Sequence, residues 1–231
     1  SFFSLNFADL SVHACDRRKM EALNELFGKE TPVTKYYIIA STLVMLLCTI
    51  GLLSPESLYL NWQLVIYRFQ WWRLATCFLF NGSFGLAFFW NTYILVMYCS
   101  KLEEGAFRWK TADFIWMLLL SAGMLLLLAI LFVEYFLSGA MISVFTYLFS
   151  RRNPTARMQL MNFTVRAPYL PWIFAVVSLF MGGDFQDNLM GIAVGHIYYF
   201  FEDIYPVLPK SEGIRIFQTP RVLKIFCNQR D

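Results

Sequence analysis

The sequence predicts an all-α membrane protein: a bundle of six transmembrane helices with a long interfacial loop between the first span and the second. Three observations carry this. Of 231 residues, 58% are hydrophobic, 19% aromatic and only 15% charged, where a soluble domain carries about 25% charged residues. The apolar residues fall in runs near the length of about 20 that a bilayer-crossing helix needs, with shorter runs tolerated inside a polytopic bundle. Once six spans are counted, the positive charges gather on one face.

The first span is "YYIIASTLVMLLCTIGLL", residues 36–53, ended by the turn-forming "SPES". Residues 54–83 mix aromatic and polar side chains and contain "YRFQWWRLATCF", residues 67–78. A second span runs over 84–100 and is closed by the charged "KLEEGAFRWK". Residues 112–150 are too long for one span and, past Asp113 at their start, hold one internal charge, Glu134, so two helices meeting near Glu134 are expected. A basic loop with Arg151, Arg152, Arg157 and Arg166 follows. Two short spans come next, "PYLPWIFAVVSLFMGG" and "DNLMGIAVGHIYYFF", with Asp184 and Asp187 at their junction. The expected organisation is an extension over 1–30, a membrane domain over 31–206 and a polar tail over 207–231.

Six spans place the N-terminus, the 2–3 loop, the 4–5 loop and the C-terminus on one side. These segments hold five, three, four and five Lys and Arg residues, seventeen of the nineteen in the chain. The other side holds Arg68 and Arg73, with acidic Glu56, Asp184 and Asp187. That asymmetry follows the positive-inside rule, so both termini are expected in the cytosol or its organellar equivalent. A formal net charge of +3 is too small to imply nucleic acid. Five cysteines without a CxxC pair read as unpaired small hydrophobes. Two histidines, His13 and His196, do not support a His-based metal cluster, and no cofactor is expected. The N-terminal stretch lacks a signal-peptide pattern; its Ser, Phe and Arg content would suit the start left by removal of an organellar presequence.

In the 67–78 stretch, Trp and Tyr suit the membrane interface, where an apolar ring and a polar N–H or O–H are both accommodated. Arg can stack on those rings while bonding lipid phosphate or loop carbonyls. The plain reading is an interfacial anchor. The sharper one is a loop half-submerged in the outer leaflet, with Arg73 weightier than Arg68.

Trp72–Arg73 followed by "LATCF", a second span bearing Asn91, "SKLEEGAF", "YLPWIFAVVSLFMGGD" and "GIAVGHIYYFFEDIYP" together resemble the rhomboid superfamily, and within it the Derlins. The resemblance runs over about 31–206 and places a helix-packing GxxxG at Gly191 and Gly195. It implies a rhomboid-like bundle. It also raises the question of proteolysis, because rhomboid proteases set a Ser of GxSG on span four against a His on span six. Here "FLSGAM" supplies Ser138 and span six supplies His196 as weak catalytic candidates. Three departures argue against them: Phe136 replaces the first glycine, Ala87 stands where an oxyanion-donating His is expected four residues before Asn91, and bulky Ile197, Tyr198 and Tyr199 follow His196. The expectation is a pseudoprotease, with His196 buried and hydrogen-bonded to a neighbouring helix. Glu103 and Glu104 read as a solvated loop, and Glu202 and Asp203 as a helix end.

The resemblance implies a role in endoplasmic-reticulum-associated degradation, with lateral substrate entry between spans two and five and local thinning of the bilayer by short spans. The implied partners are membrane lipids, a membrane ubiquitin ligase and a cytosolic AAA+ unfoldase. The tail lacks the "FxGxG"-like motif that recruits the unfoldase in many Derlins, and the segment before Thr31 is longer than expected. The alternative is a Derlin-fold structural subunit of a large organellar complex, for example in the mitochondrial inner membrane. "NGS" at Asn81 and "NFT" at Asn162 are sequons expected on the outer and inner faces.

Overall fold

The computed structural model describes residues 31–132, 134–160, 163–209 and 216–227. The expectations placed on Cys15, on the 1–30 extension and on Asn162 lie outside these residues. Helices occupy every segment where a span was expected. They are α1 (Pro32–Thr49), α4 (Leu86–Glu104), α5 (Thr111–Phe132), α6 (Ser138–Arg152), α7 (Leu170–Phe180) and α8 (Phe185–Tyr199). Two short helices, α2 (Trp62–Tyr67) and α3 (Arg73–Leu79), lie between α1 and α4, and α9 (Arg221–Phe226) lies in the tail. By length and apolarity alone, α1 and α5 are sufficient to cross a membrane.

α1 begins four residues before the expected span, for a local reason. Pro32 is tolerated in the first turn, where a missing N–H costs nothing. The free amides of Val33 and Thr34 donate to the Glu103 carboxylate at 3.0 and 2.9 Å, and the Thr34 hydroxyl adds a 2.6 Å bond. Glu103 is therefore not a solvated loop residue: it is 3% exposed and caps a helix some seventy positions away. A carboxylate at a helix N-terminus also meets the positive end of the helix dipole. At its other end α1 breaks at Gly51, whose φ of +80° is open to glycine without strain.

The loop between α1 and α4 is anchored rather than loose. Asn61 caps α2 by accepting from the Gln63 and Leu64 amides. Arg73 is 6% exposed, and its guanidinium donates to the Glu56 and Tyr59 carbonyls at 3.0 and 2.9 Å and to Gln70 Oε1 at 2.7 Å. The same group lies over the Tyr59 ring at 5.0 Å. Trp71, Trp72 and Phe69 point outward and are exposed. The Trp-Arg pair thus divides its work: Arg73 ties the loop to itself, and Trp72 offers a ring to the surroundings.

α6 is the central helix. Ser138 and every residue from Ala140 to Ser150 are buried, as for a helix covered on all sides. Its polar side chains are satisfied internally: Thr146 and Ser150 bond back to α6 carbonyls, and Ser143 donates to Asn188 on α8 at 2.8 Å. α8 lies against α6 at Gly191 and Gly195. A Cβ on Gly191 would fall 2.1 Å from the Ala140 carbonyl oxygen, and one on Gly195 would lie 3.0 Å from the Tyr147 ring. This is the close approach that GxxxG was expected to provide. α8 continues into a wider π-type turn, Phe200–Ile204, where Asp203 receives a bidentate pair from Arg152.

The segment after α6 departs from an all-helical chain. Strands β1 (Arg157–Leu160) and β2 (Phe163–Arg166) form an antiparallel hairpin in register Arg157 to Arg166. The described part of the tail is docked on the bundle: Thr219 donates to Asp113 at 2.7 Å, Trp116 donates to the Phe217 carbonyl at 3.1 Å, and the Phe217 ring stacks on Tyr198. Among the described residues, Cys48, Cys77, Cys99 and Cys227 are free thiols.

Candidate functional site: an acidic cavity between α4, α6, α7 and α8

At the end of the bundle where α6 and α8 begin, a cavity of about 290 Å³ is lined by Asn81, Asn91, Glu134, Ser138, Asp184, Asp187 and Asn188, among others. Four elements build it. The residues after α3 bring Asn81, and α4 brings Ala87 and Asn91. The α5–α6 connection brings Glu134 and leads into Ser138, and the α7–α8 turn brings the acids. That turn depends on Gly182 at φ +82°, and on Gly183, where a Cβ would press on Ser178. The α5–α6 connection is held from outside α5 and α6: Leu60 N–H donates to the Tyr135 carbonyl, and Leu137 N–H to the Cys77 carbonyl.

Glu134 and Asp187 share a side-chain hydrogen bond, with Asp184 close enough to add negative charge. A bond between two carboxyls requires a proton on one of them. Burial, then the Asp184 charge, pushes the Glu134 carboxyl above its ordinary range. Asp187 Oδ1 and Asn81 Oδ1 are buried without a hydrogen-bond partner, and Asn81 as a whole is 3% exposed. Burial on this scale means that the "NGS" sequon presents no accessible amide in the folded chain.

The two weak catalytic candidates are not brought together. Ser138 lies at the cavity and donates its hydroxyl to the Phe80 carbonyl at 2.7 Å. His196 pairs through Nδ1 with the hydroxyl of Tyr147, nine residues further along α6. At 1.5 Å per residue that is about 13 Å down the helix axis. His196 does hydrogen-bond a neighbouring helix, as expected, but it is exposed rather than buried. Arg151 donates to the same Tyr147 oxygen at 2.9 Å and lies over its ring, so His196 belongs to a Tyr–Arg cluster. Opposite the start of α6 stands Asp187, whose Oδ2 is 3.6 Å from where a Cβ on Gly139 would be. Phe136 packs against Phe80 at 4.8 Å between ring centroids, filling the space that a small residue would leave. Asn91 and Ala87 line the cavity, Gly191 and Gly195 form the α6–α8 contact, and Trp72 and Arg73 stand apart in the loop.

A family profile described as the Der1-like family matches residues 31–221. The chain belongs to that family. It is 35% identical over 216 residues to Derlin-2.2 of Arabidopsis thaliana, covering 88% of this chain and 87% of that protein. Derlin-2.1 of Zea mays is 34% identical over 216 residues, with 88% and 86% covered. A probable derlin-2 homolog of Dictyostelium discoideum is 36% identical over 200 residues, with 83% and 78% covered. The chain is thus a Derlin-family membrane protein with a mostly helical bundle.

The acidic cluster as a unit escaped sequence reasoning, because Asn81, Glu134 and Asp187 are each about fifty positions apart. Two signals pointed towards it. Glu134 is the one charge in a long apolar stretch, and Asp187, Asn188, Gly191 and Gly195 recur at helical spacing on one side of α8.

Proposed function

We propose that this chain is a non-catalytic Derlin of the endoplasmic reticulum membrane, with six spans and cytosolic termini, that assists the passage of misfolded polypeptides in degradation. The observation that carries the proposal is an acceptor-rich cavity at one end of a bundle in which the flanking helix α7 is too short for the bilayer. α7 has 11 residues, about 17 Å at 1.5 Å per residue, and the tight turn Ala167–Tyr169 that leads into it adds little more, against a hydrocarbon core of about 30 Å. The bilayer must thin beside such a helix, at a modest cost per ångström. A polar segment entering there then has less hydrocarbon to cross. α4 and α7 both line the cavity and meet through rings, Phe174 against Trp90 and Tyr98. Aromatic contacts between helices can part without breaking hydrogen bonds, so this seam suits lateral entry. Separation of Ser138 from His196 supports the non-catalytic reading. A membrane ubiquitin ligase and an AAA+ unfoldase complete the proposed pathway.

Photo-crosslinking tests it. A photoreactive residue at position 174 or 90 is expected to capture a misfolded client in native membranes, and the same probe on the outer face of α1, at Ile39, is not. Capture of lipid alone from all three positions would contradict lateral entry.

A further inference from the structure

We propose that the cavity between α4, α6, α7 and α8 is a subsite for a basic side chain, a lysine ammonium or arginine guanidinium carried on the polypeptide in transit. The inference rests on the passage reading above and names the chemistry that the passage recognises.

Two independent features point to a donor-bearing cation. The first is charge: Glu134, Asp184 and Asp187 converge on the cavity, and among the described residues no Lys, Arg or His lines it. The ion pair formed by Arg152 and Asp203 lies at the opposite end of α6 and α8. The second is an unmet acceptor that belongs to no carboxylate. Asn81, which lines the cavity, donates its Nδ2 to the Ser41 hydroxyl at 3.0 Å, which fixes the amide and leaves Oδ1 buried with no donor. Asp187 Oδ1 is a second such atom. A buried acceptor left without a donor carries a desolvation cost, so a ligand that supplies donors is favoured over one that only fills space. Ammonium brings three N–H donors and guanidinium five, with no acceptor to conflict.

Geometry separates this from a metal site. Among the described residues, no three His, Cys, Asp or Glu side chains are grouped to hold a metal ion. The acceptors come instead from α8, the α5–α6 connection and the residues before α4, around a space of about 290 Å³. That is the low end of small-ligand pockets, about 300–1,000 Å³, sized for one long side chain rather than for folded structure.

The test uses the full chain in nanodiscs and three extended, otherwise neutral peptides with a fluorophore and a photoprobe, differing only at a central Lys, Gln or Glu. The Lys peptide is expected to bind about tenfold more tightly than the Gln peptide, the scale of one charge-assisted hydrogen bond, with the Glu peptide weakest. The preference is expected to disappear in Asp187→Asn. It should shrink severalfold in Asp184→Asn, whose exposed side chain makes it the safer variant for folding. Equal binding of all three peptides, with crosslinks between α4 and α7, would overturn the basic subsite and leave the passage reading standing. A Lys preference untouched by both variants would place recognition elsewhere and overturn it too. Absence of binding by every peptide would remove the passage reading, and the subsite with it.

Discussion

Alanine at Gly191 would place a methyl group 2.1 Å from the Ala140 carbonyl oxygen, 2.6 Å from Ser143 Cβ and 2.9 Å from the Ala140 carbonyl carbon. Two of these three neighbours are backbone of the most buried helix, so no side-chain rotation relieves the clash. α8 must move off α6 by about an ångström or more. Overpacking of this kind costs about 1–3 kcal/mol and sometimes more; the rigid neighbours put Gly191→Ala at the upper end, about 3 kcal/mol. Against it stands the propensity gain of alanine over glycine, about 1 kcal/mol in a helix interior. Separation would also stretch the 2.8 Å Ser143–Asn188 bond one turn away, returning about 1 kcal/mol to the cost. The net expectation is about 3 kcal/mol. At Gly195 the added methyl meets only the Tyr147 ring at 3.0–3.2 Å. A ring can tilt by a few tenths of an ångström, so Gly195→Ala is expected near neutral, within about 1 kcal/mol. The assay is reversible unfolding of both variants in the same detergent. Gly191→Ala as stable as the parent, or less harmful than Gly195→Ala, would refute the packing argument.

Three further outcomes follow from the same contacts. Arg73→Ala removes three hydrogen bonds and strands the carbonyls of Glu56 and Tyr59, so it should cost about 2–4 kcal/mol, whereas exposed Arg68→Ala should stay within about 0.5 kcal/mol; paired melting curves decide. Glu103→Gln keeps an acceptor but loses the charge that meets the α1 amides, so about 1–2 kcal/mol is expected, with the first amides of α1 exchanging faster by hydrogen-exchange mass spectrometry. Glu134 is a carboxyl whose folded pKa is raised by burial and by Asp184. Such a group binds its proton more tightly when folded, so the penalty of ionising it is absent below the unfolded carboxylate range and grows as pH rises through it. Glu134→Gln should therefore stabilise the chain slightly at pH 7.5 and make no difference near pH 4; a stabilisation that persisted at pH 4 would contradict this.

The helix positions were legible because hydropathy is a local property summed along the chain, and each segment expected to span has a helix. The ends were not. α1 starts early because Glu103, on another helix, supplies its cap, and no reading of residues 31–53 alone contains that information. Glu103 itself was misread because "KLEEG" looks like a charged turn, yet its helical phase sets it one turn after buried Cys99 and next to buried Leu102. The hairpin after α6 was missed because each strand spans four residues, too few for a period-two pattern to rise above the arginines. At the site, Ser138 was correctly placed near the start of a buried helix, but its partner was not. Helix register sets His196 against Tyr147, and Asp187 and Asn188 occupy the face nearer Ser138. A pair of motifs gives the helices; only the depth at which they cross decides which side chains meet.

The most direct test of the account is isolation of the native protein from its own membranes in mild detergent, with quantitative mass spectrometry of what remains bound. The account predicts a membrane ubiquitin ligase and an AAA+ unfoldase at substoichiometric levels, together with trapped client polypeptides. A fixed one-to-one set of organellar complex subunits, with no ligase, unfoldase or client, would contradict it and make the same bundle a structural component.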